Sequence, residues 1–356
     1  MNEIRKLNLT EFESAINFAN KQFGCDFRIN QPKLYRNYDS GEHYACFFDG
    51  QIVAFMSAYP ITTCGLKILS VGTVCVAEEF RGRGIMGSLF EFAARWIFPE
   101  YDLISLIGIR ERYENFGFYK TGKKIIFTIK RPSKPTLPFE IREINDQVEI
   151  ELIYSLYNKE IQREKSDFYD ILRTQCSKVY RLDLPGKQSY IVYNERKNAV
   201  FEFCGEADES EALLHFMQYK NLSSIELYSS IDCDKRLFFV SDRYAVSTLC
   251  NLNVINYKRV IVSLLKKVSN KSIGTLKIAV DSKFTIAISV SSKDVDIKIS
   301  ETAEDFDISL SEKELYLLLF DDYFMMFGNI NIEKSGLIRS WFPLPLWNTL
   351  TTLDGI

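Results

Sequence analysis

The sequence predicts an α/β (α+β) chain: two units of one plan in tandem, each a mixed central sheet flanked by helices, then a third α+β unit of another kind. Three observations carry this. The order strand, amphipathic helix, hairpin occurs twice, with "EIRKLN" at 3–8 echoed by "EIREIN" at 140–145. Between the copies, "RPSKPTLP" at 131–138 holds three of the nine prolines and reads as an extended linker. After residue 248 the pattern follows neither copy. The expected units are therefore 1–131, 132–248 and 249–356.

In chain order, "EIRKLNL" is a short strand, and Thr10 to Glu13 has the spacing of a capping box before an amphipathic helix that ends at Gly24. Asp49-Gly50 between alternating apolar runs predicts a hairpin, and Cys64-Gly65 a second turn into "KILSVGTVCVA". "IMGSLFEFAARWIF" is a helix, with Ile85, Leu89, Phe92 and Trp96 on one face and Pro99 stopping it. "DLISLIGI" is a buried strand, "RERYENFGF" a short helical turn and "KTGKKIIFTIKR" a further strand. The second copy repeats the hairpin in "SYIVYNERKNAVFEF" and the following helix in "ESEALLHFMQYK". In the third unit "GTLKIAV", "FTIAISVSS" and "DVDIKIS" are strands, and Ser311 with Glu314 forms a capping box for "SEKELYLLLFDD". The end, "SWFPLPLWNTLTTLDGI", is too apolar for a free tail and should pack.

Bulk properties narrow the function classes. A formal net charge of −3 offers no global basic field, so nucleic acid is not an expected partner and any anion site must be local. No apolar run approaches the ~18 residues of a membrane span, and the charged first residues lack the core of a signal peptide. None of the eight cysteines is spaced as C-x-x-C, which predicts buried reduced thiols, a cytoplasmic chain and no metal site. Only His43 and His215 are present, so a histidine-rich metal centre is excluded, and each is expected in a structural role.

The stretch "FRGRGIMG" at 80–87 contains Gly82-Arg83-Gly84-Ile85-Met86-Gly87, which matches the dinucleotide fingerprint G-x-G-x-x-G. Its context does not. The preceding strand ends near Val76, hairpins stand where the first strand of a dinucleotide domain belongs, and Asp102 sits at the wrong end of the next strand. Phosphate is favoured all the same. Glycines allow close backbone approach, free N–H groups at a helix start carry positive potential, and Arg81 and Arg83 add charge.

"VCVAEEFRGRGIMGSLF" resembles the acetyl-CoA motif of the GNAT acetyltransferase superfamily, and "YENFGF" at 113–118 resembles its second signature. The whole layout is similar to the enhanced intracellular survival family: a GNAT fold, a degenerate second GNAT fold, and a C-terminal sterol carrier protein-like domain. The resemblance implies an enzyme using acetyl-CoA as co-substrate. It implies that backbone N–H groups of Arg81, Gly82, Arg83, Gly84, Ile85, Met86 and Gly87 hold the pyrophosphate, and that Val74, Cys75 and Val76 pair with the pantetheine arm.

In such an enzyme an amine attacks the thioester directly, and the departing thiolate benefits from an acid. Tyr113 stands where the resembled family has its tyrosine acid, and Ile356 would supply the C-terminal carboxylate that the family uses as base. The acceptor is expected to be a small-molecule or peptide amine, and the resemblance brings a homo-oligomer with it. Where the first copy has "RGRGIMG", the second has "CGEADESEALL", and carboxylates there repel a diphosphate, so only the first copy should bind the cofactor. Two other readings stay open: an acyl-CoA or apolar-ligand binding protein without activity, and a carrier using longer acyl-CoA donors.

Overall fold

The computed structural model describes residues 3–108, 111–131, 140–230, 233–302, 305–321, 334–346 and 352–355. The first copy contributes strands β1 (Glu3–Lys6), β2 (Glu42–Phe48), β3 (Gln51–Thr63), β4 (Leu66–Val76), β5 (Leu103–Leu106) and β6 (Tyr119–Lys130). Its helices are α1 (Phe12–Phe23), α2 (Phe27–Asn30), α3 (Pro32–Tyr35) and α4 (Ile85–Trp96). Both expected hairpin turns form. Asp49 and Gly50 take φ of 49° and 77°, and Cys64 and Gly65 take 54° and 72°, the left-handed pair that joins two twisted antiparallel strands.

The second copy follows the same order. Its strands are β7 (Glu140–Ile144), β8 (Ile161–Gln162), β9 (Lys178–Leu184), β10 (Lys187–Asn194), β11 (Ala199–Gly205), β12 (Ser224–Ser229) and β13 (Ser241–Val254). Its helices are α5 (Gln147–Leu152), α6 (Lys165–Leu172), α7 (Glu209–Tyr219) and α8 (Leu237–Val240). The third region holds α9 (Tyr257–Leu265), strands β14 (Gly274–Val280), β15 (Phe284–Val290), β16 (Val295–Ser300) and β17 (Ile308–Leu310), then α10 (Glu312–Phe320) and α11 (Ser335–Trp341).

The two copies share one sheet, ordered β1-β2-β3-β4-β5-β13-β6-β12-β11-β10-β9-β7, with β8 pairing on β3. Parallel pairs occur once in each copy, β4 with β5 and β11 with β12, as a crossover helix requires. The last strands are exchanged. β6 leaves the first copy and pairs with β12 of the second, while β13 leaves the second copy and pairs with β5 of the first. β6 and β13 then pair with each other from Tyr119 to Ile129. Both expected boundaries lie at these exchanged strands. Residue 248 lies inside β13, and the cut at 131 falls just after a strand that completes the neighbouring copy. Neither half can end its sheet without the other, because the edge of β5 or β12 would be left unpaired. The proline-containing linker lies, from residue 132, outside the described residues.

Two local expectations shift. The capping box belongs to Asn8 and Glu11 on a 3-10 turn that leads into α1, two residues before the Thr10–Glu13 pair. α4 buries Ile85, Leu89, Phe90 and Ala93, whereas Trp96 is 63% exposed. The face turns because Phe90 finds three aromatic partners, Phe116 at 4.7 Å, Phe118 at 5.8 Å and Tyr113 at 5.9 Å between ring centroids. The Ser311–Glu314 box caps α10 as read.

The third region forms its own four-stranded sheet, β16-β15-β14-β17. Its core is continuous with that of the first copy, so Leu276, Ile286, Leu319 and Trp341 share one cluster with Leu7, Phe12, Tyr35 and Phe55. Among the described residues of the chain end, Trp341, Phe342, Leu344, Leu346 and Leu353 are buried, as the composition requires. Trp341 is fully buried and donates from Nε1 to the Ser272 carbonyl at 2.8 Å.

Leu353 enters the core of the second copy. Beside it Arg163, at 1% exposure, makes two paired bonds. It meets Asp354 at 2.8 Å through Nε and Nη2, and Glu202 at 2.9 and 2.8 Å through Nη1 and Nη2. Burial disfavours its charge, but the two carboxylates outweigh burial and hold its pKa well above the usual value. From the first copy, Lys33 donates to the carbonyls of Leu353 and Gly355, and burial pulls its pKa down to about 7. All eight cysteines are free thiols, and Cys46, Cys75, Cys204 and Cys250 are buried. Among the described residues no helix is long and apolar enough to cross a membrane.

Candidate active site

β4 and β5 pair only from Ile68–Val71 against Leu103–Leu106, so beyond Val71 the edge of β4 that faced β5 has no partner strand. A bulge aids the opening. β4 pairs Gly72 with Ser57 and Cys75 with Phe55 on β3, which leaves an unmatched residue between, and Thr73 takes a φ of 51°. The opened strands border a cleft of about 500 Å³. Val74, Cys75 and Val76 line one wall, Leu106, Ile107 and Tyr113 the other, and Arg81, Gly82, Gly84, Ile85 and Met86 the mouth.

At the mouth the chain leaves a 3-10 turn (Glu78–Phe80) and enters α4 through Gly82 and Gly84, with φ of 77° and 75°. Side chains are strained there, and a Cβ on either glycine would point into open space. The N-terminus of α4 has no side-chain cap and no acidic residue in its first turn. Among the described residues no backbone acceptor lies on the amides of Gly82 to Gly87, and the next amide, of Ser88, is bound to the Gly84 carbonyl at 3.1 Å. These amides form a set of donors at the positive end of a helix dipole. Among the described residues no carboxylate lines the cleft, whereas Arg81 and Arg112 do. Arg81 is braced by bonds of 3.3 Å to the Val76 carbonyl and to Gln22.

Three residues of the expected run are placed otherwise. The Arg81 amide is bound to the Glu78 carbonyl at 3.2 Å, so the free run starts at Gly82. Arg83 lies outside the cleft lining, with its guanidinium 4.9 Å from the ring centre of Phe80. Gly87 lies on the helix face toward Phe116, where a Cβ would make an ordinary 3.9 Å contact. Ile356 lies outside the described residues.

Tyr113 is 8% exposed and sits on the 3-10 turn Glu111–Phe116. Gly108 makes room for it, because a Cβ there would stand 3.0 Å from the tyrosine ring. The turn is held from β13, a strand of the other copy. Asn251 donates to the Gly108 carbonyl at 2.6 Å and Asn253 to the Phe116 carbonyl at 3.1 Å. These two asparagines were invisible to sequence reasoning, since a strand exchange leaves no local signal. Thr73, which lines the cleft, was missed as well.

The second copy is the contrast. α7 starts at an Asp208 cap whose side chain accepts from the Glu211 amide at 2.9 Å, with Glu209 and Glu211 in the first turn. A side-chain cap and acidic residues stand where a diphosphate would have to bind, as the acidic run predicted.

Residues 6–122 match the model of the acetyltransferase (GNAT) family, whose enzymes use acetyl-CoA as co-substrate. Search of curated proteins finds no match. Three solved structures share the fold over nearly the whole chain. A GCN5-related N-acetyltransferase from Anabaena variabilis is 13% identical, with 96% of this chain and 97% of that one covered and a TM-score of 0.70. One from Kribbella flavida is 14% identical, with 97% and 98% covered and a TM-score of 0.69. Eis1 from Mycobacterium abscessus is 17% identical, with 97% of each chain covered and a TM-score of 0.63.

Proposed function

We propose that this protein is an N-acetyltransferase that moves an acetyl group from acetyl-CoA to a primary amine by direct attack. One observation carries the reading: an uncapped, carboxylate-free helix start, entered through two left-handed glycines, at the mouth of a slot between parted strands. The free amides from Gly82 to Gly87, with Arg81 beside them, suit the diphosphate. The exposed edge at Val74, Cys75 and Val76 suits the amides of an extended pantetheine arm, which would add to β4 as a strand does.

In the step itself the amine nitrogen bonds to the thioester carbon, the C–S bond breaks, and the thiolate takes the Tyr113 hydroxyl proton. The amine's own proton goes to a base, for which we propose the carboxylate of Ile356. Its support is the anchoring of Leu353 and Gly355, just before it, to the buried Lys33 of the first copy. Extending the chain past Ile356 by two glycines then lowers kcat without moving acetyl-CoA affinity, and an unchanged kcat removes this role. We take the second copy as scaffold, the region from 249 on as a sterol carrier protein-like domain, and the chain as cytoplasmic, in keeping with its free thiols.

Isothermal titration with acetyl-CoA should show saturable binding, and an amine panel read by released CoA should identify acceptors. A folded sample giving no heat at high micromolar cofactor ends the proposal. Because no carboxylate or histidine lines the cleft among the described residues, a cofactor-binding protein without turnover is the second reading. Binding with no CoA release on any amine would select it.

A further inference from the structure

The opening beside β5 has a second arm that the diphosphate seat and the acid do not use. Leu106, the last residue of β5, is matched with Val71 on β4 and with Asn251 on β13. β4 runs parallel to β5 and β13 antiparallel to it. Past Leu106 both therefore go on without it, β4 to Val76 and β13 back to Ser241. The far edge of β13 is taken by β6 along this stretch. Among the described residues no strand pairs with the edge that β13 turns to the opening from Ser241 to Cys250. Each step across a twisted sheet turns the strand direction by about 20–25°, so β4 and β13, two steps apart, diverge by about 40–50° beyond β5. The cleft follows the β4 arm, and among the described residues none of β13 lines it.

The β13 arm lacks the usual defences of a bare edge. Sheets blunt such edges with lysine, proline, a bulge or a cover. From Tyr244 to Cys250 there is neither a charge nor a proline, and the bulge between Ser241 and Arg243 lies at the far end. Every residue from Asp242 to Val246 is exposed. Tyr244 and Val246 are each 56% exposed, and Phe239, just before the strand, is 87% exposed. Tyr244 is nevertheless held in place, by Phe238 at 5.0 Å and Phe127 at 6.2 Å between ring centroids. A straight, uncharged edge with apolar side chains beside it is a template for one more strand.

The arm leads to the acid. Asn251, where the free edge begins, donates to the Gly108 carbonyl at 2.6 Å, and the missing Cβ of Gly108 makes room for the Tyr113 ring. A strand added to β13 continues the line of β5. Antiparallel to β13, as β5 is, it has its first residue at this corner and runs out along the arm. A parallel strand would bring its carboxyl end there and no amine. Direction therefore selects an N-terminal α-amine, and proton chemistry selects the same group. With a pKa of ~7.7–8.0, about a tenth of an α-amine is neutral at pH 7, against less than about a thousandth of a lysine at ~10.4. Among the described residues no histidine or carboxylate lines the cleft to make up that difference.

We infer that the free edge of β13 takes an extended polypeptide as an added antiparallel strand, and that the acetyl group goes to the α-amine at that peptide's N-terminus. The inference rests on the acetyltransferase reading and names its acceptor. In the step the α-amine nitrogen bonds to the acetyl carbon, the C–S bond breaks, the amine's proton goes to the base and CoA leaves as the thiol. The peptide main chain supplies the affinity. Tyr244 and Val246, two residues apart on one face, favour apolar side chains at alternate peptide positions.

The probe is a six-residue peptide of alternating valine and threonine, free at its N-terminus and amidated at its other end. Its kcat/KM exceeds that of valine amide by about 10- to 100-fold, and the same peptide with a blocked N-terminus and an internal lysine loses that advantage. Methylating its backbone amides one at a time gives a pattern of period two. Amides that face β13 cost at least about threefold each, and those that face away stay within about twofold. A flat pattern, or valine amide acetylated as well as the peptide, overturns the inference while the acetyltransferase reading stands. Tyr244→Ala with Val246→Ala raises the peptide's KM about tenfold and leaves acetyl-CoA affinity by calorimetry where it was. An unchanged peptide KM in that variant also overturns it. A parent chain that sediments as a dimer, and as a monomer once it carries Val246→Lys, gives the edge to a second copy and overturns it too. If the parent binds acetyl-CoA but acetylates nothing, the proposed function fails. Calorimetry of the CoA-loaded chain with the same peptides then decides the edge alone: binding with the period-two pattern keeps it as a strand site, and no heat removes it.

Discussion

Replacing Tyr113 by phenylalanine lowers kcat about 10²- to 10⁴-fold, the range for loss of a general acid, and leaves acetyl-CoA affinity where it was. That is roughly 3–5 kcal/mol of transition-state stabilisation. The substitution isolates one atom. The ring packs on Phe90 at 5.9 Å and has the Arg112 guanidinium 5.9 Å from its centre, and phenylalanine keeps both contacts. The carbonyl bonds from Asn251 and Asn253 are made to the backbone on either side and do not depend on the hydroxyl. Cofactor binding is therefore an internal control, measured on the same sample by calorimetry. A kcat within about twofold of the parent, at saturating acetyl-CoA, would show that Tyr113 only packs.

Much of this architecture was legible in the chain, and the reason differs from part to part. Asp49-Gly50 and the Ser311–Glu314 box are local rules, decided by φ and by one hydrogen bond, and both hold in the fold. The glycine loop was legible because a diphosphate seat needs residues that local rules disfavour, and Gly82 and Gly84 take the left-handed backbone that explains them. The acidic start of α7 was legible for the same electrostatic reason with opposite sign. What failed depends on distant partners. The face of α4 is set by Phe116 and Phe118, so Phe90 goes in and Trp96 stays out, although periodicity alone preferred Trp96. The strand exchange is beyond any local reading, since β6 and β13 have ordinary alternating patterns whichever sheet they join. The buried bonds from Tyr35 to Ser57 and from Ser57 to His43 join α3, β3 and β2, which no local pattern announces.

Removing the Arg163 side chain, by Arg163→Ala, destabilises the protein by about 3–5 kcal/mol, a large share of the stability of an ordinary domain. The cost comes from what stays behind. Glu202 and Asp354 are as buried as Arg163, and without the guanidinium two carboxylates face each other with a single lysine, Lys33, near the tail. Tyr190, which donates to Glu202 at 2.8 Å, cannot replace a charge, and the Tyr157 ring 4.3 Å from the guanidinium loses its cation. Acid should relieve the defect, because a protonated carboxyl needs no counter-charge. The gap to the parent is therefore smallest below the ordinary carboxylate pKa of ~4 and widens as pH rises through neutrality. Changing all three charged residues together, Arg163→Met with Glu202→Gln and Asp354→Asn, should recover most of the loss, since the buried charge left beside them is that of Lys33, which burial already lets shed its proton near pH 7. Urea midpoints at two pH values measure both effects without assuming a single cooperative transition in a chain of this size. An Arg163→Ala midpoint equal to the parent's, or a gap that narrows as pH rises, would mean that the tail is held by the packing of Leu353 rather than by the ion pairs, and that the anchoring of the chain end on the second copy is apolar in origin.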